Sequence, residues 1–430
     1  MMTIQPATQT AELTGLGNKV RITDMKAPVL IDAQNQLLEY TNANPVTLTA
    51  DAVVAAAMAQ TGLDDLGDSG FRPRLDLIMS ACEADVNLSS AGRAAVFSLA
   101  TRFVRARLEL EDFIRRHPEV EDIELAPPLI DAGLPRSGTT YTLQLLAADK
   151  RLRSLQHWEG LRPVGDHYRK DGLDTRYALA EAEWIEADAI SPIAKLTHEF
   201  TPDHITEDIE LTGMDFGGYY FEWFANIPQW RDYQCTHDPA PWLGYLRRAI
   251  KALVHQRGPN RWVGKCPQHM EQLCAIAEAF PGAFLILNHR DPVASIQSGI
   301  TMMGYAARFT QRTLDLGQIA DYWVDRYEHL LRRCVEDRDR LDPERTYDLN
   351  FHKLMADPMG EMESIYERAG LSFDEATRGA IQATIEANSR GRHRQLQYDL
   401  RGDFGFDPAR LRERFGFYFD RFPEVRIEVE

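Results

Sequence analysis

The chain has 430 residues, enough for one large or two ordinary domains, and its apolar (44%) and charged (26%) fractions are those of a globular protein. A formal net charge of −17 argues against nucleic acid or another polyanion as partner, because phosphate backbones demand clustered Lys and Arg. No apolar run approaches the roughly 20 residues that cross a bilayer, the start has no basic-then-apolar leader, and five scattered cysteines share no metal-type spacing, so a cytoplasmic protein with reduced thiols is expected.

Residues 1–45 mix polar and small types without a sustained helical period. Val29, Leu30 and Ile31, then Leu37 and Leu38, suggest a short hairpin or a flexible arm. Thr49 reads as the N-cap of an Ala-rich helix that stops at Gly62. Ser89 or Ser90 opens a longer helix, with Val96, Leu99, Phe103, Val104, Leu108 and Phe113 at helical spacing. Residues 46–125 therefore read as a helical prelude packed on a main domain spanning 126–430.

From Leu129 onward strands alternate with helices, the pattern of a parallel sheet flanked by helices. The strands are expected at 129–132, 261–264, 284–288 and 346–349, with helices over 268–279, 314–334 and 373–387.

The first of those strands runs into the loop Gly133-Leu134-Pro135-Arg136-Ser137-Gly138-Thr139-Thr140, after which a helix begins. Strand, Gly-bounded loop and helix start turn several backbone N–H groups and a helix dipole toward one point, which suits an anion. A nucleoside-triphosphate loop requires lysine where this chain has Thr139. The cation has instead moved inside the loop, as Arg136. Two more cations stand at predicted strand tips: Lys265, before Cys266 and Pro267, and Arg290, before a helix opened by Pro292 and carrying Ser298. An arginine paired with a surface carboxylate and an ordinary helical serine would explain the last two separately. Three cations on one sheet edge beside a glycine loop are harder to explain that way.

At these residues the chain resembles the sulfotransferases, most closely a bacterial branch with a G-[LF]-P-R-[ST]-G-T-T loop. His157-Trp158-Glu159, Asp357-Pro358 and Gly391-Arg392-His393-Arg394 extend the resemblance. It implies an α/β, P-loop-containing sulfotransferase-like fold, here with an N-terminal helical extension. It also implies transfer of the sulfuryl group of 3′-phosphoadenosine-5′-phosphosulfate (PAPS) to a hydroxyl of a small lipophilic or aromatic acceptor, with 3′,5′-diphosphoadenosine (PAP) as product. By the family pattern, Pro135, Arg136, Ser137, Gly138, Thr139 and Thr140 hold the 5′-phosphosulfate, Arg290 and Ser298 hold the 3′-phosphate, and Arg392, His393 and Arg394 belong to a loop that closes over the donor.

Two positions depart from the pattern. The cytosolic branch carries its catalytic histidine in K-x-H, and here that slot is Pro267, with His269 four residues after Lys265. The K-x-P form looks like branches whose base is a glutamate shortly after the phosphate loop, a place that Glu159 fits. Phe351 stands where many relatives have tyrosine.

Sulfuryl transfer is an in-line displacement promoted by positioning and preorganised donors. Arg136 and Lys265 are the candidates for stabilising the bridging oxygen, and the lower charge of a sulfuryl group lets fixed cations suffice without a metal. Glu159 is the candidate base and His269 the second, although a glutamate after tryptophan is often merely salt-bridged. Glu207-Asp208-Ile209-Glu210 reads first as a solvated charge run, and second as a group that orients Lys265 or contacts substrate. The aromatics that follow (Phe216, Tyr219, Tyr220, Phe221, Trp223, Phe224, Trp230, Tyr233, Trp242) suit a lipophilic acceptor pocket or a helix core equally. The competing functions are a P-loop nucleotide kinase, which should have lysine at Thr139, and a non-catalytic nucleotide-binding protein, which would not need three intact cations.

Overall fold

A computed structural model of the chain describes residues 19–196, 201–388 and 395–429. Its centre is a five-stranded parallel sheet whose strands run, edge to edge, Leu152–Ser154, Arg261–Lys265, Ala126–Gly133, Phe284–His289 and Thr346–Asn350. Four are the predicted strands, each slightly longer than expected. The fifth, Leu152–Ser154, is too short to give a periodic signal and exists by pairing with Arg261–Val263.

Chain order reverses at Ala126–Gly133: the next strands lie to one side, and Phe284–His289 then joins on the other. The carboxyl end of that central strand is therefore the topological switch point, where open α/β sheets leave a crevice. Register sets Asp131 beside Lys265 and Gly133 beside Asn288. The phosphate-type loop thus emerges between the strand tips that carry Lys265 and Arg290.

The sheet is covered on both faces, so its strands read as near-continuous apolar runs. Leu129 and Ile286 pack on one side with Leu143, Leu146, Met362 and Tyr366. Ile130, Leu285 and Leu287 point to the other face, as the two-residue period of a strand requires. That second core is continuous with Val53, Leu75, Phe103 and Leu108 of the N-terminal helices. The helical prelude and the sheet share one apolar interior.

The two capped helices form as expected. Thr49 accepts from the Ala52 amide ahead of Ala50–Thr61, which Gly62 ends at a φ of 71°, and Ser89 accepts from Gly92 ahead of Ser90–Arg116. The hairpin does not form. Asp32–Ala43 is a helix, started by the Gln34 side chain bonding back to the Ile31 amide and anchored through Gln34 Nε2 to the Ile190 carbonyl. Its few apolar positions hide a helical period, so tertiary contacts supply what the sequence does not display. The helix expected over 268–279 is broken: a 3-10 turn spans Pro267–Glu271 and an α-helix spans Leu273–Ala279. Between them Gln272 leaves helical geometry (φ −140°), and its side chain bonds to Trp242 and His269.

Candidate active site

The loop after the central strand has two residues with left-handed backbone, Arg136 (φ 70°) and Gly138 (φ 99°). Arginine pays a steric cost there of order 1–2 kcal/mol, a strain that typically marks functional loops. Gly133 is required by close approach, since a β-carbon on it would lie 2.6 Å from Ser137 Oγ. A β-carbon on Gly138 would lie 2.9 Å from the Phe351 ring. Thr139 begins the helix Thr139–Ala147, so the first amides of that helix have no intrahelical acceptor and face the loop. Ser137 Oγ is buried, has no hydrogen-bond partner among the described residues, and takes no part in lining the cavity above the loop. The helix-start amides form a cradle for an anionic group.

Above the loop lies a cavity of about 300 Å³. Pro135, Arg136, Gly138, Thr139, Thr140, Glu207, Lys265 and Arg290 line its polar side, and Trp223, Met302, Met303, Trp323 and Tyr327 its apolar side. The three strand-tip cations predicted to converge do share one chamber. Of the aromatic cluster, Trp223 reaches the wall, whereas Phe216, Tyr219, Phe221, Trp230 and Trp242 are buried in the core. Met302, Met303, Trp323 and Tyr327 come from helices Pro292–Thr310 and Leu316–Arg338, whose cavity face no sequence pattern separates from a core face.

Lys265 is 2% exposed and its ammonium is paired with the Glu207 carboxylate, whose second oxygen, Oε2, is buried with no hydrogen-bond partner among the described residues. On the neighbouring strand Asp131 is wholly buried and accepts from the Asn288 amide. Burial pushes the Asp131 carboxyl well above the usual range, against the opposing pull of Lys265. Burial, reinforced by the Lys265 charge, pushes the His204 imidazole down to about 4. The burial around Lys265 thus disfavours the charged forms of Asp131 and His204, and hydrogen bonds formed there act in a low-dielectric setting.

Neither predicted base reaches this cavity. Glu159, on the short helix His157–Leu161, is 2% exposed and bonded to Arg153 Nη2 (2.7 Å), Arg257 Nη2 (2.9 Å) and the Gln156 amide (3.3 Å). Its oxygens are consumed by structure. His269 is 1% exposed, with Nε2 3.0 Å from Asp208 Oδ2 and Nδ1 facing Gln272. Pro267 lines the cavity instead. The acidic segment 207–210 is not a solvated run: Glu207 meets Lys265, Asp208 meets His269 and Trp262, and Glu210 meets Arg102 and Tyr220. Ile209 amid those acids was the one available hint of burial.

Arg290 reaches the cavity with its guanidinium already engaged. Nε and Nη2 bind Glu428 at 2.7 Å each, Nη1 donates to the Arg136 carbonyl, and the Phe351 ring lies 4.0 Å from the guanidinium carbon. Ser298 is buried on the helix behind, its hydroxyl 2.8 Å from that of Tyr398. Arg392, His393 and Arg394 lie outside the described residues.

A sequence model described as the sulfotransferase family matches residues 128–375, more than half of the chain. The omega-hydroxy-beta-dihydromenaquinone-9 sulfotransferases of Mycobacterium bovis and Mycobacterium tuberculosis are each 28% identical over an alignment of 264 residues that covers 58% of this chain. The chain spans 64% of the length of those curated relatives. The crystal structure of sulfotransferase STF9 from Mycobacterium avium superposes with a TM-score of 0.79 at 27% identity, covering 90% of this chain and 99% of that one. Sulfotransferase STF1 from Mycobacterium tuberculosis shares the fold, with a TM-score of 0.76 at 24% identity over 86% of this chain and 98% of that one. Among the described residues, no helix is long and apolar enough to cross a membrane.

Proposed function

The chain belongs to the sulfotransferase family, and from that premise we propose that it carries the sulfuryl group of PAPS to a hydroxyl of a small lipophilic acceptor, leaving PAP. The observation that carries this reading is the convergence of Arg136, Lys265 and Arg290 on one cavity with an apolar wall. The names of the curated relatives, sulfotransferases of a hydroxylated dihydromenaquinone, agree with an acceptor of that kind.

PAPS, when bound, supplies an activated sulfuryl group. Pro135, Ser137, Gly138, Thr139 and Thr140 are assigned to its 5′ end, because the loop offers helix-start amides to an anion; Ser137 would contribute through its backbone, since its hydroxyl is buried. Arg290 and Ser298 are assigned to the 3′-phosphate, and Arg392, His393 and Arg394 to closing over the donor. Lys265 and Arg136, both in the cavity lining, would stabilise negative charge as it develops on the bridging oxygen. The acceptor's proton is assigned to Glu207 rather than to Glu159 or His269, since Glu207 is the carboxylate that lines the cavity beside Lys265. Trp223, Met302, Met303 and Trp323 would seat the acceptor and keep water from the reacting atoms.

The test is transfer of radiolabelled sulfate from PAPS to a panel of long-chain alcohols, phenols and sterols, run beside calorimetry with PAP and with ATP. Labelled ester and PAP binding are expected. Binding of magnesium-ATP without PAP would instead favour a nucleotide kinase.

A further inference from the structure

The guanidinium assigned to the donor's 3′-phosphate holds a carboxylate of this same chain. Glu428 meets Arg290 fork to fork, with Nε–Oε1 and Nη2–Oε2 both 2.7 Å. That two-bond edge is the one with which arginine binds phosphate. The other groups of Arg290 are committed elsewhere, Nη1 to the Arg136 carbonyl and the guanidinium face to the Phe351 ring. An anion seeking the fork of Arg290 must therefore take the place of Glu428.

The carboxylate is presented by a fixed backbone. Asp291 Oδ2 accepts from the Glu428 amide (2.8 Å) and the Val429 amide (3.4 Å). Asn350 Nδ2 donates to the Glu424 carbonyl (3.0 Å). His352 Nε2 stands 3.3 Å from Glu428 Oε1. Because the backbone is pinned independently of Arg290, the Glu428 side chain alone can swing away while the segment stays docked. The pair is also reachable, with side-chain exposures of 21% for Arg290 and 18% for Glu428. A phosphate monoester carries more charge than a carboxylate, so exchange favours the incoming ligand.

We propose that Glu428 is a built-in competitor for the 3′-phosphate subsite, which donor and product enter by displacing it. This rests on the assignment of Arg290 under the proposed function. The contact lowers affinity for every 3′-phosphorylated ligand, PAPS and PAP alike, and leaves ligands without that phosphate unaffected. It thereby eases departure of the product.

The experiment is calorimetry of the full chain with PAP and with adenosine 5′-phosphosulfate, which lacks the 3′-phosphate, for wild type, Glu428→Gln, Arg290→Ala and the double variant. Loss of one competing charge-assisted fork should tighten PAP about 5-fold in Glu428→Gln. Adenosine 5′-phosphosulfate should bind wild type and Glu428→Gln equally. In the Arg290→Ala background the second substitution should have no effect on PAP, the non-additivity of groups acting through one contact. Equal gains for both ligands, or unchanged or weaker PAP binding in Glu428→Gln, overturn the proposal while leaving the donor site intact. Failure of wild type and Glu428→Gln alike to bind PAP overturns the donor-site reading itself, and this proposal with it.

Discussion

Lys265 and Glu207 form an ion pair in the cavity wall, and the second carboxylate oxygen of Glu207 is buried with no hydrogen-bond partner among the described residues. Glu207 is thus the carboxylate held at the cavity beside the ammonium, and as the proposed base it takes the acceptor's proton once one of its oxygens turns toward the cavity. Glu207→Gln should bind PAP normally and lose turnover by ~10²–10⁴-fold. Lys265→Ala should lower kcat by ~10²–10³-fold, as for removal of one preorganised donor. Steady-state rates beside PAP calorimetry check both, and normal turnover in Glu207→Gln would move the base elsewhere.

Glu159 makes the opposite prediction. Its carboxylate neutralises Arg153, which is 3% exposed along its side chain, and also binds Arg257. Glu159→Gln leaves a buried guanidinium short of its counter-charge, a change that costs about 3–5 kcal/mol. Urea unfolding should show that loss, while kcat per folded molecule stays near wild type. An inactive variant of undiminished stability would restore Glu159 to the chemistry.

Gly138→Ala combines two penalties. Its φ of 99° lies in the left-handed region, and the added β-carbon would press on Phe351 at 2.9 Å. The loop must shift and Phe351 with it, so PAP binding should weaken at least ~10-fold, a loss of about 1.4 kcal/mol. Phe351→Ala in the same chain should recover only part of that loss, because it relieves the contact and not the backbone strain. Full recovery would show that the dihedral angle costs nothing.

Glu222 gives a pH signature. It is buried beside Arg326 and Tyr322, and burial pushes its carboxyl from 4.5 up to about 7. Between those values the unfolded chain has released the proton and the folded chain retains it, so this group's contribution to stability falls as pH rises from 4.5 to about 7. Glu222→Gln removes the slope. Its stability relative to wild type should therefore be higher at pH 8 than at pH 4.5, by roughly 1–3 kcal/mol. A difference that does not change with pH would mean that Glu222 is ionised throughout. His204 acts in the other direction in both chains: its depressed pKa of about 4 means stability lost as pH falls from 6.5, and it cancels in the comparison.

What could be read from residues alone was whatever is local in the chain. The loop from Gly133 to Thr140 declares its own geometry, because two glycines, a proline and a helix start over eight residues leave few conformations open. Arg136, Lys265 and Arg290 were legible for the same reason: each sits at the end of a short apolar run, and parallel strands align their ends. The helix Asp32–Ala43 and the edge strand Leu152–Ser154 were not legible, since the first lacks an apolar stripe and the second lacks length.

The sequence by itself determined the family, the sheet and the cation-lined loop, all of which follow from runs and spacings along the chain. Only the tertiary structure decided which carboxylate serves which cation. Glu207 finds Lys265 58 residues away, Glu159 is taken up by Arg257 98 residues away, and Glu428 reaches Arg290 across 138. Charge pairing depends on distance in space and on burial, and neither is written into the order of residues along the chain.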